Sequence, residues 1–423
     1  MLIAIVFLLT LLIGVPIAFI LGMCGFAHFL IIDPSLLSAL PQRLFVSANN
    51  YGLLAIPLFI LAGELMEISG DVERLTDFAR ALVGRIKGGL AYVMVILGFL
   101  LGGPLGSANA EAALLSSTLF PQMKKDGYDD VFTAGLIGAI SVVGPLIPPG
   151  MLLVVYGVAS GVSISALFMS GIMPGIYLTI ALGLTVYFLG RKQNWPVTQW
   201  QGSRYVWYTF KRAFFSIAAP IAVLIAIATG ICTPTEAAAV ASMLTLLIGY
   251  FVYRKIKLRE LVPIFLRTGV MSGAVLIIGA MGGVFGWTLA MDQVPQKIAA
   301  FMLSITDNPL LILLLINILL LVTGMFMDAI PAVMILVPVL MPIVKEMGFD
   351  PVHFGLMMCF NLTVGLLTPP VGTVLYTTSM ATGVSVDRLF KPIWVWVAVC
   401  IGVLLFITYF PGSIMFLPKM LAK

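Results

Sequence analysis

The sequence predicts an all-α polytopic membrane protein built from two inverted structural repeats, each containing one re-entrant helical hairpin and one broken helix. Three observations support this fold class. Of the 423 residues, 61% are hydrophobic and only 10% are charged. Apolar runs repeatedly approach the roughly 20 residues that cross a bilayer as a helix. A pattern of prolines, glycines and charges also occurs twice, 221 residues apart.

Individual residues at matching positions identify the repeat. Five features of the first half recur at the same offset in the second half. They are Pro121 and Pro342, Lys124 and Lys345, Gly127 and Gly348, Asp129 and Asp350, and the pairs Pro148-Pro149 and Pro369-Pro370. Matching interruptions in two related apolar halves are typical of secondary transporters, whose binding site lies where the interruptions meet.

Composition argues against other classes of protein. Continuous apolar runs such as 310–322 do not alternate, so they do not suit a transmembrane barrel. The net charge of +5 comes from basic residues scattered between apolar segments, so we expect contact with membrane lipids and no nucleic-acid partner. The four cysteines and two histidines lack metal-ligand spacing. Neither HExxH nor a Walker-type GxxxxGK motif is present, and an enzyme is not expected.

Topology follows from the basic residues. Residues 2–21 lack the basic start and cleavage site of a signal peptide, which predicts one retained transmembrane helix. The positive-inside rule then places the N-terminus in the cytoplasm and the C-terminus in the periplasm. The same rule assigns five basic clusters to the cytoplasm, at 74–87, 124–125, 191–212, 254–267 and 388–391.

The segment 90–121 begins and ends on the cytoplasmic side, which predicts a re-entrant hairpin. Each arm would hold about a dozen residues, roughly 18 Å, too short for a core of about 30 Å. The second hairpin, 309–344, then enters from outside, because the extra helix at 214–231 inverts the second repeat. Other spans are predicted at 131–158, 165–189, 235–253 and 264–290, with surface amphipathic helices at 71–88 and 292–306.

These elements divide the chain into four regions. Two are scaffold: 1–89, with the cytoplasmic amphipathic arm, and 190–306, with linking helices and the second arm. Two form a transport domain: 90–189, with the first hairpin and broken helix, and 307–423, with the second hairpin, broken helix and final helix.

Four interruptions should converge near the midplane, the tips 103–110 and 323–329 and the breaks 144–150 and 365–372. Proline pairs free backbone carbonyls that suit a cation, and hairpin tips offer amide groups that suit an anion. The predicted Na⁺-binding residues are Ser107, Asn109, Gly144, Pro148, Gly150, Asp328, Asn361, Gly365, Thr368 and Gly372. The predicted substrate-binding residues are Gly106, Ser107, Pro149, Pro369 and Pro370.

Several polar residues have a structural alternative. Asp328 is a costly carboxylate within an apolar hairpin, which favours a nearby Na⁺ over a simple helix cap. Capping or interhelical hydrogen bonding is the alternative for Ser107, Asn109, Asn361 and Thr368. We interpret Glu111 as a cap of the second hairpin arm, in preference to a titrating group. Glu64 and Glu67 are assigned to the membrane interface, and the segment 233–236 to a helix start.

Four motifs carry a family resemblance. They are LLAIPLF at 53–59, TPTEAAAVA at 233–241, GMFMD at 324–328 and NLTVGLLTPPVG at 361–372. With them the chain resembles the large membrane subunit of tripartite ATP-independent periplasmic (TRAP) transporters, of the ion transporter superfamily. The resemblance implies a Na⁺-coupled elevator in the bacterial inner membrane, with no cofactor beyond the coupling ion. It also implies two partners, a small four-helix membrane subunit and a periplasmic protein that captures an organic acid.

The expected function is therefore Na⁺-driven symport of a small carboxylate, such as a C4-dicarboxylate, sialic acid or another sugar acid. One alternative is a stand-alone Na⁺-coupled dicarboxylate or citrate carrier that needs no binding protein. More distant alternatives are a membrane-embedded enzyme, whose motifs are missing, and a passive channel.

Overall fold

The computed structural model describes residues 2–32, 34–191, 193, 195–197, 201–306 and 308–421. These residues form helices and connecting turns, and no β-strand occurs among them. Eight helical segments are long and apolar enough to cross a membrane. The all-α membrane class predicted from composition is confirmed.

The N-terminal segment differs from the single predicted helix. It forms two helices, α1 (Leu2–Leu12) and α2 (Ile17–Ile32), which fold against each other. Gly14, with φ +84°, and Pro16 interrupt the apolar run, and Cys24 Sγ lies 3.7 Å from the Ile3 carbonyl. The prediction failed because hydropathy does not register a turn made by two residues.

The scaffold of the first half continues with short helices. A short amphipathic helix, α3 (Leu40–Ala48), precedes α4 (Ala55–Ile68) and was not predicted. The predicted surface arm is α5 (Asp71–Val83), whose acidic first turn complements the helix N-terminus.

The first hairpin consists of α6 (Gly89–Leu105) and α7 (Ala108–Thr118), followed by the short α8 (Phe120–Lys125). The 17 residues of α6 rise about 26 Å, so this arm is longer than the dozen residues predicted. The helix contains Pro104 in its last turn, and it ends at Gly106, which adopts φ +59° as a left-handed cap.

The first broken helix and the middle of the chain follow the predicted order. Thr233 and Glu236 form the capping box that their sequence indicates. The helix predicted at 214–231 begins eleven residues earlier, at Ser203. The helices are α9 (Asp130–Ser141), α10 (Met151–Ser160), α11 (Ile164–Gly190), α12 (Ser203–Ala228), α13 (Pro234–Leu247), α14 (Leu258–Met291) and α15 (Val294–Ile305).

The second half repeats the local features of the first. Asp129 caps α9 as Asp350 caps α18, and both proline pairs are joined by cis peptides. The two halves thus share these local features, and the inverted repeat stays a prediction. The helices are α16 (Pro309–Phe326), α17 (Ala329–Glu346), α18 (Pro351–Leu367), α19 (Thr373–Thr382), α20 (Val386–Tyr409) and α21 (Gly412–Leu421).

The centre of the molecule is α18. Every residue of this helix from His353 to Leu367 is buried, and α10, α11, α16, α17 and α20 pack around it. By contrast, α12 and α14 expose many large apolar side chains, as lipid-facing helices do. Both hairpins and both broken helices therefore belong to one packed core, where an interruption in one element meets the others.

Candidate functional site

Each hairpin tip is a two-residue turn, tighter than the predicted tips. The first is Gly106–Ser107, and the Ser107 hydroxyl accepts a hydrogen bond from the Ala110 amide at 3.5 Å. The second is Met327–Asp328, and Asp328 Oδ1 accepts from the Ala329 amide at 2.7 Å. Both residues are thus N-caps, the alternative weighed for Ser107 and Asp328. Capping uses one oxygen of the exposed Asp328 carboxylate and leaves the other available.

The first tip lies directly on the first break. A Cβ placed on Gly102 of α6 would be 2.8 Å from the Gly144 Cα, and one placed on Gly106 would be 3.2 Å from the Met151 amide nitrogen. The absence of a side chain at these glycines therefore allows the backbone of the first tip to approach the backbone of the first break. The predicted residues Gly144, Pro148, Pro149 and Gly150 are all buried in this contact.

The second tip meets the second break in a similar way. A Cβ on Gly324 would lie 3.0 Å from the Gly365 Cα, and the Gly372 amide donates to the Met325 carbonyl at 3.1 Å. Gly365 was assigned to the break, but the Thr368 amide bonds to its carbonyl at 2.9 Å, so α18 continues to Leu367. Pro369 is half-buried and Pro370 is exposed, unlike the buried first pair.

The Asn109 side chain links the first hairpin to the second repeat. Asn109 Nδ2 donates to Thr373 Oγ1 at 3.4 Å, and Thr377 Oγ1 donates to Asn109 Oδ1 at 3.2 Å. Both threonines lie on α19, directly after the second break. Sequence reasoning missed them, although two threonines four residues apart on an apolar helix indicate a polar face.

The Asn361 amide carries a buried oxygen without a partner. Its Nδ2 donates to the Asn317 carbonyl at 2.9 Å and to Asn317 Oδ1 at 2.8 Å, while Asn361 Oδ1 accepts no hydrogen bond. Buried polar atoms are normally satisfied, so an orphaned acceptor on the helix that leads to a break fits a hard cation such as Na⁺. Thr368 Oγ1, bonded to the Val364 carbonyl at 2.8 Å, retains acceptor capacity nearby in sequence. Asn317 was missed, although an asparagine in an apolar hairpin arm is itself a signal.

Glu111 does not cap the second arm as predicted. Its side chain is fully buried, and neither carboxylate oxygen has a hydrogen-bond partner. Ser107 supplies the cap instead. Glu111 therefore needs another explanation.

A small, partly open cavity lies between the first tip and α4. Gly106, Ser107 and Pro149, three of the predicted substrate residues, line it together, whereas Pro369 and Pro370 do not. Glu64 and Glu67, assigned from sequence to the membrane interface, also line it. Arg267 forms an ion pair with Glu64 at 3.7 Å.

Paired hairpins, helices interrupted at matching positions and a cavity at a hairpin tip define a multi-pass helical membrane transporter. Residues 4–413 match the family model described as "Tripartite ATP-independent periplasmic transporter, DctM component". The chain belongs to this family of bacterial transporter permeases, which act with a small membrane subunit and a periplasmic binding protein, and it is not an enzyme.

Two relatives and one solved structure illustrate the similarity. The sialic acid TRAP transporter large permease protein SiaM of Vibrio cholerae is 38% identical, covering 96% of this chain and 95% of that protein. The C4-dicarboxylate TRAP transporter large permease protein DctM of Pseudomonas aeruginosa is 36% identical, covering 95% and 94%. The YdaH transporter of Alcanivorax borkumensis shares the fold, with a TM-score of 0.64 at 15% identity over 91% and 90% of the two chains.

Proposed function

We propose that this chain is the permease subunit that couples Na⁺ entry to uptake of a small organic acid delivered by a periplasmic binding protein. The orphaned oxygen of Asn361, on the helix that leads to the second break, is the observation that carries the proposal. The names of the relatives, for sialic acid and C4-dicarboxylates, support the substrate class. The location is the bacterial inner membrane, with a cytoplasmic N-terminus and a periplasmic C-terminus.

Different residues are assigned to the ion and to the substrate. Asn361, Thr368 and Asp328 offer oxygen atoms in the second repeat, where Na⁺ would supply the compensating positive charge. Gly106 and Ser107 line the cavity at the start of α7, and the positive end of that helix suits a carboxylate. The Asn109 hydrogen bonds to α19 hold the two halves together, so both hairpins move as one body in an elevator step.

The driving force is sufficient. Moving one net charge through 100 mV releases about 2.3 kcal/mol. Each tenfold Na⁺ gradient adds about 1.4 kcal/mol per ion. Two Na⁺ with one monoanion would therefore release on the order of 5 kcal/mol, enough for roughly thousandfold accumulation.

The test is uptake into proteoliposomes that contain this chain with its small membrane subunit. A panel of labelled organic acids is added with or without the periplasmic protein, and with or without an inward Na⁺ gradient. Accumulation that needs both Na⁺ and the binding protein supports the proposal. Uptake without the binding protein would instead establish a stand-alone carrier, and flux indifferent to Na⁺ would indicate a channel or another coupling ion.

A further inference from the structure

A polar cavity of about 270 Å³ lies where the surface arm, the end of the first hairpin and the start of α12 meet. Among the described residues that line it are Arg80 of α5, Arg85 just beyond that helix, Gln122 and Asp126 at α8, and Tyr205 of α12. The residues predicted to bind Na⁺ or substrate are not among them. The cavity is therefore separate from the candidate transport site.

Arg80 has no anionic partner in this cavity. Its side chain is partly buried, it donates a hydrogen bond to the neutral Gln122 Oε1, and its Nε is buried without a partner. Within the part of the chain that the structure describes, no carboxylate forms an ion pair with Arg80. Asp77, which also lines the cavity, pairs with Arg212 at 3.4 Å instead. A partly desolvated guanidinium without a counterion is unfavourable, so this position favours an anion from outside the chain.

The charges around the cavity agree with a monoanionic ligand. Three cationic groups, Arg80, Arg85 and Arg212, line the cavity or pair with its lining, against the two carboxylates of Asp77 and Asp126. The resulting net charge of +1 matches the single negative charge of a phosphodiester. A guanidinium also suits phosphate in shape, because its N–H groups can donate two parallel hydrogen bonds to phosphate oxygens.

The cavity lies beside elements that are typical of a membrane surface. α5 carries charged residues on one side and buried apolar residues on the other, as a helix lying along a bilayer does. The first half of α12 exposes Trp207 and Tyr208 next to the exposed Lys211 and Arg212. Aromatic and basic residues concentrate at the level of the lipid headgroups, where basic pockets between helices bind anionic lipids.

We propose that this cavity binds the phosphate group of an anionic phospholipid, with Arg80 and Arg85 as its cationic ligands. α5 belongs to the predicted scaffold and α8 to the predicted transport domain, so one headgroup contacts both regions. Bound lipid therefore stabilises the arrangement in which α5 and α8 lie together. The site depends neither on the coupling ion nor on the identity of the transported acid.

Titration of the full chain, purified in detergent, with dioctanoyl phosphatidylglycerol tests the proposal. A ligand that binds the folded state raises the melting temperature in a saturable way. We expect this rise with phosphatidylglycerol but not with dioctanoyl phosphatidylcholine, whose headgroup has no net charge. Arg80→Gln should raise the half-maximal phosphatidylglycerol concentration about tenfold or more, because a charge-assisted hydrogen bond is lost. Arg259→Gln removes the same charge from an exposed position at the start of α14, and this matched control should behave as the unaltered chain.

Equal affinity for phosphatidylglycerol in a folded Arg80→Gln chain and in the unaltered chain would overturn the proposal, as would an equal response to the two lipids. If Arg80→Gln does not fold, Arg85→Gln, at an exposed position, should also weaken binding, and unchanged affinity would contradict the site. Titration with inorganic phosphate separates the two sources of the anionic group. A rise with phosphate at the same half-maximal concentration as phosphatidylglycerol would show a site for free phosphate and would overturn the lipid assignment.

Discussion

The Asn317–Asn361 pair shows how one side chain can serve both stability and ion binding. Two hydrogen bonds from Asn361 Nδ2 fix the orientation of the amide, and they therefore also fix the direction of its unpartnered oxygen. We expect Asn361→Ala to lower the free energy of unfolding by about 1–3 kcal/mol, because the Asn317 oxygens lose their donor. We also expect the Na⁺-dependent rise in melting temperature to shrink.

Thr363→Val is the matched control for that variant. Thr363 is buried on the same helix and bonds only to the Phe360 carbonyl, at 2.7 Å. Its loss should lower stability without changing the response to Na⁺. An unchanged Na⁺-dependent rise in melting temperature in Asn361→Ala would mean that the ion binds elsewhere.

Asp71, at the start of the surface arm, gives a pH prediction. Burial raises the pKa of its carboxyl above the ordinary 3.8, although hydrogen bonds from Ser216 and Ser69 and the charge of Arg74 lower it. A raised pKa means that the folded state binds the proton more tightly than the unfolded state. Stability from this group is therefore greatest below pH 3.8 and falls as pH rises through the folded pKa.

Asp71→Asn should remove this slope, since an amide does not titrate. Melting curves of both proteins between about pH 4 and 8 should diverge, with the unaltered chain gaining relative stability toward acid. Asp126→Asn, at an exposed loop position, should leave the slope intact. Parallel curves for the unaltered chain and Asp71→Asn would show that the buried carboxyl does not govern this pH dependence.

At the residue scale, the sequence shows which polar residues stand at unusual positions, but it does not show which groups they contact. The cost of a carboxylate in an apolar hairpin singled out Asp328, and the proline pairs located both breaks. The sequence could not show that the Ser107 hydroxyl would accept the capping hydrogen bond of α7 and that the Glu111 carboxylate would have no hydrogen-bond partner. The Glu111 side chain instead lies against α6 and the first break, which is a contact between residues distant along the chain.

At the element scale, the hairpins are held to the broken helices by glycine. A Cβ on Gly324 would approach the Leu362 carbonyl oxygen to 2.7 Å, and this backbone atom cannot rotate away. Gly324→Ala should therefore separate α16 from α18 and cost about 1–3 kcal/mol. Thermal unfolding in detergent measures the loss.

Gly183→Ala provides the matched control for this packing prediction. Gly183 lies within α11, and no atom lies within 4 Å of a Cβ placed there. Because alanine is the better helix former, this variant should be neutral or more stable by up to about 1 kcal/mol. Equal losses in both variants would mean that helix propensity, rather than the α16–α18 contact, determines the effect.

The long elements were largely predictable, because apolar length and repeat position both report them. The errors fall where short features decide the outcome. Gly14 and Pro16 split the first apolar run into α1 and α2, and the amphipathic α3 is too short for a hydropathy window to register. The first tip was predicted at 103–110, but α6 continues through Pro104 to Leu105, because a proline in the last turn removes only one backbone hydrogen bond.

At the scale of the whole molecule, the elevator hypothesis requires sliding between the predicted scaffold and transport regions. α14 of the scaffold packs against α17 of the second hairpin. A Cβ on Gly282 would lie 3.2 Å from the Met334 Cβ, close to the roughly 3.5–4.5 Å that a disulfide spans. A cysteine pair at these positions can therefore lock the two regions in the observed arrangement.

We expect oxidation of a Gly282→Cys, Met334→Cys double variant to abolish accumulation of substrate in proteoliposomes, and a reductant to restore it. The background is Cys232→Ser, since Cys24, Cys359 and Cys400 are buried. Loss of maleimide labelling reports the cross-link, and each single variant under the same oxidant controls for damage. A fully cross-linked chain that still accumulates substrate would exclude sliding at α14 and α17, because a covalent bond between them permits rotation of side chains but not translation of one helix past the other.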